Sequence, residues 1–244
     1  MGELAHGTAG WDYAARLTEV KARIHTAEYM TGRAGSDVKL LVATKAWDAD
    51  AAVAAVGAGA SLVGESRMQE LADKGAALKA AGARVHVIGQ LQRNKAATAI
   101  EFADCVQTVD SLVLAERLSR LSAEAERNLD VMIQVNVSDE DSKAGVTLGE
   151  ALRLASAAQA LPFLTVTGFM TIGLNSPDEG AVRAGYARLA AVRDEALIRS
   201  ERGEIDLRGA WELSMGMSND LEWAIAEGAT IVRVGTAIMG HRGR

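Results

Sequence analysis

The feature that most constrains this chain is an alternation repeated along its whole length. Short runs rich in β-branched and other apolar residues are each followed by an alanine-rich segment whose apolar positions recur at helical spacing. Such alternation marks parallel βα units, because a parallel strand must return to the same end of its sheet and a helix supplies the crossover. The runs are Val38 to Thr44, Ser61 to Glu65, Arg84 to Gln90, Asp104 to Val109, Val131 to Val137, Leu164 to Met170, Leu207 to Ser214 and Thr230 to Thr236. Eight strands within about 200 residues predict an α/β fold, a single closed (β/α)8 TIM barrel at the small end of that architecture, with an open doubly wound sheet as the alternative. An extra amphipathic helix, roughly Trp11 to Met30, precedes the first strand, and Gly32 to Asp37 reads as loop. Only Pro162 and Pro177 interrupt the chain and no low-complexity linker divides it, so residues 1–244 are expected to form one domain.

Composition narrows the class. With 244 residues, 49% hydrophobic and 24% charged, the chain can bury a full core. Cys105 is the single cysteine, which excludes an internal disulfide and a cysteine metal cage. No apolar stretch is long enough to span a membrane, and MGELAHGTAG has neither a basic nor an apolar leader segment, so a cytoplasmic protein is expected. A formal net charge of −6 offers no basic stripe for nucleic acid. After the barrel helices are allotted, no large apolar stripe is left over, and a monomer is expected.

Side chains alternate between the barrel interior and the helix layer, so parity assigns the inward residues. In the first strand Val38, Leu40, Val42 and Thr44 share the helix-facing side, and Leu41, Ala43 and Lys45 point inward. In the fifth, Gln134 and Asn136 are inward. In the seventh, Glu212 and Ser214 are inward with Leu207, Trp211 and Leu213 outside, and in the eighth Arg233 lies between inward Ile231 and Gly235. A mouth this polar suits a ligand chamber, because buried charges without partners are costly.

Two glycine-bearing turns follow the last strands. In "SMGMSNDLEWA" Gly216 permits a tight turn and Ser218 stands at an N-cap position, ahead of Asn219 and Asp220. In "RVGTAIMG" Gly235 and Thr236 can offer consecutive backbone N–H groups and a hydroxyl to an anion, at the loops where barrel enzymes most often hold phosphate. Singly, each residue has an ordinary explanation: a capping serine, a turn glycine, an arginine paired with Glu212, a lysine reaching solvent from a strand end. Together they place an amine, an arginine and an anion cradle at one mouth. That combination fits an imine between Lys45 and a phosphorylated carbonyl compound. Pyridoxal 5′-phosphate supplies the aldehyde and the phosphate, and an arginine beside its ring nitrogen would keep the ring unprotonated and a weaker electron sink.

The stretches "LLVATKAW", "GESRMQE", "VHVIGQLQRNK", "VNVSDEDSKAG", "GFMTIG" and "LSMGMSNDLEWAIAEGATIVRVGTAIMGHR" resemble, in order and from about residue 9 to 242, the YggS/PROSC family of pyridoxal-phosphate-binding homeostasis proteins. The resemblance implies a barrel similar to the N-terminal domain of alanine racemase. It also implies an internal aldimine on Lys45, phosphate held by Ser218, Gly235 and Thr236, and Arg233 facing the pyridine nitrogen. Asn136 and Met170 fall at pocket-lining motif positions, and Ser214 joins them as an inward residue of strand seven. His86, Gln92, Asn94 and Lys95 stand in a further motif; His86 reads as a satisfied strand histidine, and Asn94 and Lys95 open a helix or take part in function. Lys143 and Gly145 read as a solvent-exposed turn.

The chain departs from the family pattern at Val63 and Ser66, and Trp47 stands where a second lysine is frequent, so no role of that lysine carries over. The function implied is a non-catalytic carrier or regulator in intracellular vitamin B6 homeostasis, with pyridoxal-phosphate-dependent apoenzymes as possible partners. Amino-acid racemisation is the alternative, and it needs two opposed bases, one typically a tyrosine of a second domain. The tyrosines here, Tyr13, Tyr29 and Tyr186, fall in predicted helices away from strand ends. A Schiff-base aldolase for sugar phosphates is the third class.

Overall fold

A computed structural model of the chain describes residues 11–138, 140 and 143–240. The MGELAHGTAG segment, parts of the "SDEDSKAG" motif and the "HR" that ends the last motif lie outside the described residues. An N-terminal helix, α1 (Tyr13–Met30), precedes β1 (Lys39–Ala43), α2 (Ala49–Gly57), β2 (Leu62–Glu65), α3 (Met68–Ala80), β3 (Arg84–Val87), α4 (Ala96–Phe102) and β4 (Cys105–Val109). Then follow α5 (Leu112–Glu124), β5 (Leu129–Gln134), α6 (Leu148–Gln159), β6 (Leu164–Met170), α7 (Glu179–Glu201), β7 (Glu212–Ser214), α8 (Leu221–Ala226), β8 (Ile231–Val234) and α9 (Thr236–Met239). The eight strands pair in parallel and in sequence order, and β1 pairs with β8 to close the barrel.

Local chemistry sets the helix starts. Asp12, Asp48 and Asp178 each accept a first-turn N–H of α1, α2 and α7, and Thr147 with Glu150 forms a reciprocal capping box on α6. The closing helix α9 is only four residues long. Leu17, Val20 and Ile24 of α1 are buried, and α1 packs on α2, α8 and α9, covering the seam that so short a helix leaves open. The Trp11 indole N–H donates to the Ile238 carbonyl at 2.8 Å and ties this helix to the end of the barrel.

Strand parity divides the apolar residues as expected. Val42, Val63, Val85, Val106, Val131 and Ile133 pack under the helices, whereas Leu41, Leu62, Cys105, Met132, Met170 and Ile231 fill the interior. Gly64 makes room for this filling, since a Cβ there would overlap the Leu41 side chain.

Strand ends differ from the sequence reading where another acceptor captures the chain. Leu207 to Trp211 is a turn, closed by Ala210 N–H to the Leu207 carbonyl, and β7 begins only at Glu212. Thr236 starts α9 instead of ending β8. β5 stops at Gln134 because Val135 bridges to Val146 and Asn136 N–H donates to the Val146 carbonyl, drawing the chain into its own loop. β3 stops at Val87, and Gly89 lies so close to Ser66 that a side chain would not fit.

Candidate functional site

Lys45 lies two residues beyond β1, in a turn closed by Trp47 N–H to the Thr44 carbonyl at 3.2 Å. It is therefore exposed at the mouth and not enclosed within the strand interior. Ala46 has φ 71, a left-handed conformation that disfavours a residue with a Cβ by about 1–2 kcal/mol. Buried charge holds this strained turn. Lys74 on α3 is 2% exposed, and its ammonium donates to the carbonyls of both Thr44 and Trp47 at 2.9 Å. Glu65 (2.8 Å) and Glu70 (3.5 Å) balance its charge. Glu70 accepts the Ala46 N–H, and Glu65 accepts the Thr44 hydroxyl. Burial pushes the Glu65 carboxyl up, and Lys74 with Thr44 only partly draws it back. Sequence reasoning missed Lys74: its spacing from Glu70 is that of an ordinary surface pair on a helix.

A cleft of about 420 Å³ opens above this turn, lined by Ala43, Lys45, Trp47, Arg67, Gly235 and Thr236 among others. Lys45 and the glycine-threonine pair after β8 thus share one cavity, as the sequence predicts. No hydrogen bond or ion pair engages the Lys45 ammonium among the described residues. Gly235 caps α9 without a side-chain bond, and among the described residues no turn, loop or cap acceptor takes the N–H groups of Gly235 and Thr236. A Cβ at position 235 would meet Ala43 at 3.4 Å, an ordinary contact distance.

Arg233 is buried in the barrel interior beneath the mouth and is not among the residues lining that cleft. Its Nη1 donates to Ser214 Oγ at 2.8 Å and its Nη2 to the Thr171 carbonyl at 2.7 Å. Burial lowers its pKa to about 10, with Tyr186 and Asp220 opposing, so it remains cationic at neutral pH. Ser214 Oγ in turn donates to Gln107 Oε1 at 2.7 Å, and the Gln107 amide reaches His86 Nδ1 at 2.8 Å. The direction of this chain is fixed at its start. A guanidinium cannot accept, so the serine proton goes to Gln107, whose NH₂ then donates to Nδ1 and leaves the His86 proton on Nε2.

The remaining candidates are spread between the barrel interior and the rim. Met170 is fully buried in the interior cluster. Asn136 spends its side chain on its own loop, donating to the Glu140 carbonyl at 2.8 Å and accepting from Ser138. Asn94 lines a separate hollow of about 640 Å³ with Gln90 and Asp110. Ser218 is not the N-cap of α8; Asp220 is, and its carboxylate accepts the Met217 N–H at 2.6 Å, which pulls the turn two residues further on. The Ser218 carbonyl accepts from Arg23 at 3.0 Å. Lys143 is not a free surface lysine: it is half-buried, donating to the Gly173 carbonyl at 3.0 Å and pairing with Glu140 at 2.8 Å.

Tyr186 corrects the expectation that the tyrosines stay clear of the strand ends. It sits on α7, is fully buried, and donates its hydroxyl to Asp220 Oδ2 at 2.8 Å in the loop after β7. Burial and the Asp220 charge raise its pKa, so it stays a protonated donor. Its helical position concealed this, because the reach of a long side chain is not encoded in local periodicity.

Residues 18–243 match the family described as the alanine racemase N-terminal domain. A curated relative from Escherichia coli (strain K12), named pyridoxal phosphate homeostasis protein, is 39% identical over 235 residues, 95% of this chain and 97% of its own. One of the same name from Pseudomonas aeruginosa is 39% identical over 229 residues, 94% of this chain and 95% of its own. The structure of PipY from Synechococcus elongatus with PLP bound superimposes with a TM-score of 0.79 at 30% identity, over 94% of this chain and 100% of PipY. An alanine racemase of Clostridium difficile shares the fold, with a TM-score of 0.70 at 15% identity, and this chain matches 58% of its length.

Proposed function

The chain belongs to the alanine racemase N-terminal domain family and, within it, to the pyridoxal phosphate homeostasis proteins, and from that premise we propose that it binds pyridoxal 5′-phosphate covalently at Lys45 and acts in vitamin B6 homeostasis as a carrier or regulator. The observation that supports this most directly is the shared cleft, lined both by Lys45, whose ammonium has no partner among the described residues, and by Gly235 and Thr236. When bound, the cofactor supplies an aldehyde for the amine, a phosphate, and a ring nitrogen whose protonation governs how well the ring accepts electrons. Lys45 would hold it by its amine, and Gly235 and Thr236, with Ser218 at the neighbouring loop, would donate to its phosphate. Arg233, buried beneath the cleft, would lie toward the ring nitrogen, and Ser214, Asn136 and Met170 are the further residues assigned to the site.

Two features support binding without strong catalysis. Arg233 is cationic and anchored by Ser214 and Thr171, so it disfavours a second positive charge at a neighbouring nitrogen. Tyr186, the tyrosine nearest the β7 loop, has its proton committed to Asp220 and its pKa raised, so it is a poor base. We assign the whole chain to one domain, working as a cytoplasmic monomer that exchanges cofactor with apoenzymes. No helix among the described residues is long and apolar enough to cross a membrane.

The test is optical and chemical. Purified protein mixed with pyridoxal phosphate should turn yellow, and borohydride should bleach it and leave a phosphopyridoxyl mass on the peptide containing Lys45. Incubation with L-alanine should give little or no D-alanine. A colourless protein without that mass overturns the binding assignment, and rapid racemisation overturns the carrier assignment.

A further inference from the structure

The opposite end of the barrel carries a further cavity, of about 480 Å³, where the strands begin. Its wall bears four charges. Lys39 pairs with Glu212, and Arg84 pairs with Asp130 at 3.3 Å, so the charges balance. Lys39 also lies 5.3 Å from the centre of the Trp211 ring, which is half-exposed. The pairs leave capacity unused: among the described residues Lys39 spends one of three donors on Glu212, and a single Arg84 nitrogen reaches Asp130.

The second observation is His86, which lines this cavity and is 4% exposed. Its Nδ1 is held by Gln107, at the end of the chain of bonds that starts at Arg233. The two ring nitrogens diverge, so Nε2 points away from Gln107, and among the described residues this buried nitrogen has no hydrogen-bond partner. Burial, reinforced by Arg84 and Lys39, lowers the imidazole pKa to about 3. The ring is therefore neutral, and the Arg233 end of the chain dictates that Nε2 bears the hydrogen. A buried N–H with nothing to donate to, beside two cations with spare donors, calls for an oxyanion; the two carboxylates beside them call for a cation on the same molecule.

We propose that this floor cavity is a second binding site, for a small zwitterion of the α-amino-acid type: its carboxylate is received by His86 Nε2–H, Lys39 and Arg84, and its ammonium by Glu212 and Asp130. The site is separate from Lys45, because the apolar layer of Leu41, Leu62, Met132 and Ile231 lies within the barrel between the two ends.

The test follows the His86 Nε2 resonance in ¹⁵N-labelled protein while glycine is added, with acetate and methylammonium as half-ligands. Native protein and Lys45→Ala are titrated side by side, so that amine chemistry at the mouth is recognised as a response of native protein alone. The expected result is a saturable shift in both proteins, half-complete at a glycine concentration at least tenfold below that of either half-ligand. Glu212→Gln should cut the advantage of glycine over acetate to under threefold; should it not fold, Arg84→Gln, at a largely exposed side chain, should instead weaken glycine and acetate together. Failure of all three probes to move the resonance overturns the proposal, as does a shift confined to native protein or an equal response to glycine and acetate.

Discussion

Replacing Lys74 with methionine isolates the buried charge that shapes the Lys45 turn. Methionine keeps most of the volume and removes the ammonium, so the carbonyls of Thr44 and Trp47 lose their donor and Glu65, fully buried, loses its counter-charge. Breaking one partner out of a buried pair costs about 3–5 kcal/mol. That is a large part of the roughly 5–15 kcal/mol by which a domain is stable. For a chain of this size it corresponds to a fall of about 6–20 °C in Tm. The cost should depend on pH, with a definite sign. The Glu65 carboxyl is already raised in the folded state, and losing Lys74 raises it further. The stability of a group raised in this way is full below its unfolded pKa and is lost as pH rises through the folded pKa. Urea unfolding should therefore find Lys74→Met nearer to native stability at pH 5 than at pH 8, while the double variant Lys74→Met/Glu65→Gln loses most of that dependence. A deficit below about 1 kcal/mol, or one equal at both pH values, would refute the view that Glu65 is left charged and unpaired.

Other substitutions probe single links. Lys45→Ala should abolish the borohydride-fixed mass yet keep weak affinity for pyridoxal phosphate, measured by equilibrium dialysis, since the anion seat is built from other residues. Ala46→Gly should leave urea stability unchanged or raise it by up to about 1 kcal/mol, because glycine adopts φ 71 without strain; a loss above that size would show that the methyl group packs. Tyr186→Phe should cost about 1–3 kcal/mol by leaving Asp220 short of a donor, equally at pH 6 and 9 because the phenol does not titrate there; a pH-dependent loss would count against this. Gly168→Ala should destabilise by about 3 kcal/mol or more, since its Cβ would overlap the Glu212 carbonyl of the neighbouring strand. Near-native melting of that variant would mean β6 and β7 can part.

The architecture was legible because it rests on periodicity. Apolar runs separated by alanine-rich helices marked all eight strands, and parity put Leu41 inside and Val42 outside as observed. The cleft shared by Lys45, Gly235 and Thr236 followed from strand order alone, since β1 and β8 are neighbours only if the barrel closes. What escaped depends on partners distant in the chain. Ser218 has the composition of a cap, but Asp220 outcompetes it by reaching back to Met217. Lys74 looks like a surface lysine until Thr44, Trp47 and Glu65 converge on it. His86 was expected to be satisfied, yet among the described residues only Nδ1 is, held by Gln107 on another strand.

The bond from β1 to β8 also sets an order of events during synthesis. Lys45 and Gly235 face each other only after the ring has shut, and at about 5–20 residues per second the ribosome delivers the second some 10–40 s after the first. Throughout that interval β1 keeps an unpaired edge and α1 has nothing of α8 or α9 to rest on. The amine therefore exists long before the pocket does, and any small aldehyde that meets the nascent chain meets an ordinary lysine.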